Sequence, residues 1–341
     1  MPNTAVKVVP VATGILRRSD GRLLLSLRPE GKPWPGFWEF PGGKIEANES
    51  PETALGRELW EEIGIRVRQA RLLRQVDHAY PERVVGLHFF LVEDWEGEPW
   101  GREGQELRWC QPWEIPSLRC LEPNLPLVAL LQRENLPSPP LWLIADPGRV
   151  SPDRFLPILD QVIAAGLRAL VLRSKTPLLP MLQEALPAWL AKAQEQGVAV
   201  FWNGLEDAPH SWNLAGLHLP ERSLVAGKIP AGPFGVSCHS ADCLHRAAQQ
   251  QARYAFLSPV FPTSTHPGAS TLGLGGLTQA IANAALPVIA LGGIGPQHLP
   301  ELQTAGAAGV AVLSGILEAP DPASAFSEYL HAWSSSCPNS P

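Results

Sequence analysis

Short apolar runs recur along this chain, and their character changes near residue 136. Before that point, residues 8–15 and 22–27 read as strands joined by a turn at Ser19-Asp20-Gly21. Ser50-Pro51-Glu52 supplies a cap and a first-turn proline, predicting a helix that runs to Gly64. A further strand is expected at 84–93 and a second helix over about 125–134. Beyond Pro140 eight apolar runs follow one another, at 141–145, 169–172, 198–202, 216–219, 234–238, 254–257, 287–291 and 309–313. Helical patterns lie between several of them, at 153–165, 178–196, 241–252 and 296–305. Apolar runs without alternation are what buried parallel strands look like. Eight strand–helix units in about 200 residues predict an α/β protein with a (β/α)8 barrel. A doubly wound open sheet is the rival arrangement.

The stretch Asn135-Leu136-Pro137-Ser138-Pro139-Pro140 cannot continue a helix and reads as an extended spacer. It sets the expected organisation: a first domain over 1–134, a linker at 135–140, a barrel over 141–333 and a flexible tail at 334–341. The composition, 45% hydrophobic and 18% charged over 341 residues, is that of a folded protein and excludes wholesale disorder. No run of ~18 apolar residues predicts a membrane span. The opening MPNTAVKVVPVATG lacks the pattern of a secretory leader, so a cytoplasmic protein without a membrane partner is expected. Five cysteines, Cys110, Cys120, Cys238, Cys243 and Cys337, form no framework and suit a reducing compartment as inert thiols. A net charge of −6 disfavours a nucleic-acid binder. A small anionic substrate remains open, because local arginines or a metal override net charge.

The first long helix carries the chemistry. Residues 43–65 read GKIEANESPETALGRELWEEIGI. With Leu55 at zero, Leu59 and Ile63 fall at about 40° and 80°, whereas Glu61, Glu58 and Glu62 fall at about 240°, 300° and 340°. Three carboxylates therefore crowd one sector beside the apolar stripe, where like charges repel. A solvated acidic face explains the charge but neither the Gly-Gly loop before it nor the arginine within it. A hard divalent cation would offset the repulsion, since Mg²⁺ takes oxygen ligands.

Gly43, Glu49, Arg57, Glu58, Leu59, Glu61, Glu62, Gly64 and Ile65 match every defined position of the Nudix box. The N-terminal part thus resembles the Nudix hydrolases. The flanking residues, from Glu39-Phe40-Pro41-Gly42-Gly43-Lys44-Ile45-Glu46 to Trp95-Glu96-Gly97-Glu98-Pro99-Trp100-Gly101-Arg102-Glu103-Gly104-Gln105, make it similar to the MutT-type 8-oxo-dGTP diphosphatases. That resemblance implies an α/β/α sandwich and Mg²⁺-dependent hydrolysis, with Mn²⁺ as an alternative ion. It implies Glu58, Glu61, Glu62 and Glu103 as metal ligands, Arg57 as the group that orients carboxylates, Glu49 as its support, and Glu58 and Glu103 as catalytic carboxylates. It further implies Asn124 as the reader of the oxidised purine, with Arg28, Phe40, Tyr80 and Arg83 around the base. From the residues alone, Asn124 is equally well a helix N-cap, and Phe40 equally well a core side chain.

Residues 141 to about 318 resemble thiamine-phosphate synthase and its thiazole tautomerase relatives. The resemblance rests on Leu141-Trp142-Leu143-Ile144-Ala145-Asp146, Arg173-Ser174-Lys175, Gly216-Leu217-His218-Leu219, Gly235-Val236-Ser237-Cys238-His239, Ser258-Pro259-Val260-Phe261-Pro262-Thr263-Ser264-Thr265, Ala290-Leu291-Gly292-Gly293-Ile294 and Gly309-Val310-Ala311-Val312-Leu313-Ser314. It implies a phosphate site at Arg173, Lys175, Gly292, Gly293 and Ser314, for thiazole phosphate or a related phosphate ester. The pattern also breaks. Gly204 and Ser223 stand where that family's metal-binding aspartates are expected, His266 replaces a lysine, and Pro259 replaces the tautomerase histidine. His218 and His239 read as structural, with a catalytic role as the alternative. Glu206, Asp207 and Glu221 lie near both gaps as candidate substitutes.

The sequence thus predicts an 8-oxo-dGTP diphosphatase fused to a synthase-like barrel of altered or lost activity. The alternatives are hydrolysis of a thiamine-pathway pyrophosphate and a barrel that binds a phosphate ester or remains an active synthase.

Overall fold

The computed structural model of the chain describes residues 8–80, 83–204, 208, 211–263, 268 and 270–335. Two compact units emerge, Met1–Val128 and Ala129–Pro341.

The first unit contains strands β1 (Val8–Leu16), β2 (Leu23–Leu27), β3 (Trp38–Glu39) and β4 (Gly42–Lys44), helix α1 (Pro51–Ile63), and strands β5 (Arg66–Tyr80), β6 (Arg83–Glu96) and β7 (Leu107–Cys110). They form two sheets, β4-β1-β6-β5 and β3-β2-β7. β1 runs parallel to β6, Val8 opposite Val84, and antiparallel to β4, Val11 opposite Lys44. Helix α1 begins where the Ser50 side chain accepts from Thr53 N and stops at Gly64, whose φ of 73° needs no Cβ. Leu55, Leu59 and Ile63 bury against Ala12, Leu16, Phe90 and Val92. That packing fixes the rotation of the helix and brings its Glu58 and Glu62 carboxylates onto β4.

No element is expected from the sequence at 66–80, yet β5 spans 15 residues. Its apolar positions do not alternate because its register against β6 shifts between Val67 and Gln69 and again between Leu72 and Arg74.

Helix α2 (Leu125–Gln132) precedes the barrel strands β8 (Leu141–Ala145), β9 (Ala169–Ser174), β10 (Ala199–Gly204), β11 (Gly216–Leu219), β12 (Phe234–Cys238), β13 (Tyr254–Leu257), β14 (Val288–Leu291) and β15 (Gly309–Val312). All eight pair in parallel, and β15 pairs with β8 to close the ring. Closure removes the open-sheet alternative. The apolar runs and the strands coincide because strands buried on both faces need no alternation. Trp142, Phe201, Tyr254 and Phe256 fill the interior, with the Trp142 and Tyr254 rings 4.4 Å apart. The proline-dense stretch is held on either side by bonds to this unit: Gln132 Nε2 donates to Ala285 O, and Val310 N to Pro140 O.

Helices α3 (Pro152–Ala164), α4 (Pro180–Glu195), α5 (Glu221–Val225), α6 (Ala241–Gln249), α7 (Gly273–Ala282), α8 (Leu299–Thr304), α9 (Ser314–Leu317) and α10 (Pro322–Ser335) connect and follow the strands. Four of them escape the sequence pattern, including the short α5 and α9. α7 holds Gly273, Gly275 and Gly276, which are poor helix formers. α10 buries Phe326, Tyr329 and Trp333 and includes the first two residues expected to be tail. No helix among the described residues is long and apolar enough to cross a membrane.

Candidate active site and barrel cavity

The Nudix-box carboxylates are organised by two cations. The Arg57 guanidinium grips Glu49 with two hydrogen bonds of 2.9 Å, reaches Glu58 Oε1 at 2.8 Å and Glu61 Oε2 at 3.3 Å, and donates to Lys44 O. Its bonds to Glu49 and Glu58 raise its pKa, and the same contact lowers that of Glu49. Glu58 lies over Gly43 so closely that a Cβ there would overlap its carboxylate. Glu62 accepts from Gly42 N at 3.0 Å. Burial pushes its carboxyl up to about 7, against the pull of that N–H and of Lys32.

Glu103 arrives from a separate loop, pinned to the end of α1. Trp100 N donates to Ile63 O, and Arg102 N and Gln105 Nε2 both donate to Glu62 O. Gln105 Oε1 in turn accepts from Glu103 N. Lys32 bridges the two acids, its Nζ 2.7 Å from Glu103 Oε2 and 3.5 Å from Glu62 Oε1. Burial works to lower the Lys32 pKa, but these carboxylates carry it above the ordinary lysine value.

All four expected metal ligands thus fall around one end of α1 and β4. Among the described residues no three acidic, His or Cys side chains are drawn into a finished cage. The acids are shared between Arg57 and Lys32 instead. Their chemistry suits a hard divalent cation: the donors are carboxylate oxygens, and Glu62 is a buried acid whose ionised form lacks full compensation.

The expected base pocket is only partly recognisable. Arg28 pairs with Glu39 and donates from Nε to Pro33 O at 2.6 Å. Burial holds Glu39 above the usual carboxylate range despite that pair. Tyr80 packs at 4.6 Å against Trp34, the rings tilted by 35°, with Arg28, Glu39, Arg83 and Glu122 close enough to act on its charge. Phe40 is buried. Asn124 is 4% exposed and ends a 3₁₀ turn, Glu122–Asn124. Its Nδ2 donates to Cys120 Sγ at 3.7 Å. Asn124 directly precedes α2, and its amide nitrogen turns inward to a thiol. Burial raises that thiol to about 12, keeping it protonated and inert. Sequence reasoning did not pick out Lys32 or Trp34 and gave Gln105 no role; they join the site through loop folding with no periodic signal.

The barrel opens at the C-terminal ends of its strands into a cavity of about 920 Å³. Arg173, Lys175, Gly292, Gly293 and Ser314, the expected phosphate site, all line it. The Gly-Gly pair is required by packing: with φ of 101° and 65°, Gly292 and Gly293 lie against the backbone of 259–262. Arg222, His218 and His239 also line the cavity, but no Asp or Glu does among the described residues. Gly204 cannot recover the missing carboxylate, since a Cβ there would overlap the Trp202 indole. Ser223 sits on short α5, whose Glu221 is paired with Arg246 at 3.1 Å. His266, Glu206 and Asp207 lie outside the described residues.

His218 is buried at the cavity wall. Its Nε2 meets Ser237 Oγ at 2.9 Å and its Nδ1 meets Tyr254 Oη at 3.2 Å. Burial, with help from Arg173, pushes its pKa down to about 3, so it stays neutral. His239 Nδ1 donates to Ser258 O at 2.7 Å, leaving Nε2 as the lone-pair nitrogen of the neutral ring.

Fold and site together define two classes on one chain: a carboxylate-rich loop–helix site of the phosphoanhydride hydrolases, and a closed eight-stranded parallel barrel with a cavity at its C-terminal face. The NUDIX domain family matches residues 7–131, and the thiamine monophosphate synthase family matches 141–316. The 8-oxo-dGTP diphosphatase of Haemophilus influenzae is 41% identical over 129 residues, 38% of this chain and 95% of that protein. The thiamine-phosphate synthase of Desulfitobacterium hafniense is 30% identical over 199 residues, 57% of this chain and 96% of that protein. The solved thiamine phosphate pyrophosphorylase of Pyrococcus furiosus shares the barrel fold, with a TM-score of 0.51 and 23% identity over 60% of this chain and 98% of that one. The chain belongs to the Nudix family in its first unit and to the thiamine monophosphate synthase family in its second. It is a hydrolase acting on phosphoric anhydrides.

Proposed function

We infer that the first unit hydrolyses 8-oxo-dGTP between its α and β phosphorus atoms, giving 8-oxo-dGMP and pyrophosphate, in the cytoplasm, and so clears oxidised nucleotide before it enters DNA. One observation carries this: the Glu58–Glu62–Glu103 cluster sits on a segment 41% identical to an 8-oxo-dGTP diphosphatase. Nudix hydrolases generally need a divalent metal. In this reading Glu58, Glu61, Glu62 and Glu103 would hold Mg²⁺ or Mn²⁺, which would supply charge neutralisation at the phosphates and an activated water. Arg57 keeps Glu58 and Glu61 oriented, and Glu103 takes the proton from the attacking water. Asn124 reads the purine edge, with its Oδ1 and Nδ2 as acceptor and donor, and Tyr80, Arg28 and Arg83 border the base. Buried Phe40 supports the pocket from the core.

Steady-state assays of the full chain test this, comparing 8-oxo-dGTP, dGTP and the aminopyrimidine diphosphate with Mg²⁺. A preference for 8-oxo-dGTP with pyrophosphate release supports the reading. A preference for the pyrimidine diphosphate would transfer it to the thiamine pathway.

For the barrel, the carboxylate-free lining favours a second reading. It binds a phosphate ester such as thiazole phosphate at Arg173, Lys175, Gly292, Gly293 and Ser314 without condensing it with a pyrimidine diphosphate. Calorimetry with thiazole phosphate, beside an assay for thiamine phosphate, separates binding from synthesis.

A further inference from the structure

Lys32 is a cation set among groups that need one. It belongs to the loop between β2 and β3, whose root is fixed. Arg28 N donates to Phe37 O, Gly36 N to Arg28 O, and Arg28 Nε to Pro33 O. Trp34, at a φ of 57°, packs at a tilt against Tyr80. From this anchored base the Lys32 side chain, 41% exposed, reaches Glu103 at 2.7 Å and Glu62 at 3.5 Å. These acids lie on different elements, and Lys32 is the group that joins them. An ammonium is a compact charge on a flexible stem, so the head can relocate while the backbone stays.

We propose that Lys32 is a displaceable counter-cation: in the nucleotide-free enzyme it stands between Glu62 and Glu103, and it moves to the nucleotide's phosphates when metal and substrate enter. The proposal rests on the Nudix reading of the site. A divalent ion on Glu62 and Glu103 repels the ammonium, and a triphosphate brings the nearest new anion. Lysine and metal then compete for the acids in the empty enzyme and act together on the substrate. Metal binding is weak alone and strengthened by nucleotide, a coupling that works equally in both directions. Lys32 is thus a positioning residue for the metal in the empty enzyme and a binding residue for the substrate.

The test uses the full chain and its variants Lys32→Gln and Lys32→Arg. Mn²⁺ affinity of the nucleotide-free protein is measured by electron paramagnetic resonance, and KM and kcat are measured separately. Lys32→Gln is expected to tighten Mn²⁺ about tenfold, from removal of one near charge at intermediate dielectric, and to raise the nucleotide KM about tenfold with kcat little changed. Lys32→Arg is expected to stay near the parent in both. Unchanged or weaker Mn²⁺ binding in Lys32→Gln, or an unchanged KM, would overturn the proposal. Glu58→Gln serves as the reference variant. If it too leaves Mn²⁺ binding untouched, the metal-site reading fails; if it loses Mn²⁺ while Lys32→Gln shows no gain, only the lysine proposal fails.

Discussion

The two units keep different parts of their inheritance. In the first, the reactive side chains are together: acids from α1 and from the Trp100–Gln105 loop meet beside β4, and Arg57 and Lys32 neutralise them. In the second, the scaffold and cavity are intact and the phosphate-site residues line up, yet no acid faces the cavity among the described residues. A barrel's core and its mouth are independent requirements. Trp142, Phe201, Tyr254 and Phe256 close the ring whatever the loops carry. Helix α1 has no such freedom, because the packing of Leu55, Leu59 and Ile63 sets its carboxylates' direction.

The largest effect should fall on the first unit. Glu58→Gln or Glu62→Gln is expected to lower Mg²⁺-dependent turnover by about a thousandfold or more, through loss of anionic ligands. Stability should move the other way for Glu62. Its folded pKa, about 7, exceeds the ordinary 4.5, so the metal-free parent is relatively most stable below 4.5 and loses stability as the pH rises to about 7. Glu62→Gln should therefore melt at or above the parent at pH 8, by at most about 3 kcal/mol, with the advantage vanishing near pH 4. Full activity in both variants would erase the contrast between the units.

On the barrel side, the full chain should make no thiamine phosphate at the ~1 s⁻¹ typical of enzymes. Gly204→Asp should not restore it and should cost about 1–3 kcal/mol by overlap with Trp202. Recovery of that loss in the double variant with Trp202→Ala would identify the clash as its cause. Synthesis by the parent chain would mean that acids outside the described residues serve as ligands, and the two units would then be alike.

Asn124→Ala sharpens the reading of the base pocket. Discrimination of 8-oxo-dGTP over dGTP should fall at least about tenfold in kcat/KM, as when a site loses a hydrogen bond it was built to make. Equal ratios in parent and variant would reduce Asn124 to a buried partner of Cys120.

The smallest effect is expected at His218. Because burial lowers its pKa from 6.5 to about 3, its imidazole signals in a nuclear magnetic resonance titration should stay flat from pH 8 to below 5. The unfolded chain takes up this proton first, so His218 contributes full stability above 6.5 and progressively less as the pH falls towards 3. A titration midpoint near 6 would place it in contact with solvent.

Much of this was legible in the sequence, for physical reasons that differ by region. The eight barrel strands were readable because burial on both faces leaves unbroken apolar runs. Glu58, Glu61 and Glu62 were readable because helical spacing alone sets them on one sector. Glu103 needed the family resemblance, since its approach depends on Gln105 tying a distant loop to Glu62 O. Lys32 and Trp34 left no trace, because a loop's reach is set by its tertiary anchors. Strand β5 was missed where register shifts destroy alternation.

Gly43 fixes how this chain can drift over generations. Every single-nucleotide change that alters a glycine codon introduces at least a Cβ or ends translation. Here even an alanine methyl would occupy the space of the Glu58 carboxylate. Any such substitution forces the Glu58 carboxylate, the end of a flexible side chain, out of its place over β4. One methyl group is enough to push Glu58 aside, a change confined to that side chain and its bond to Arg57 rather than to the fold.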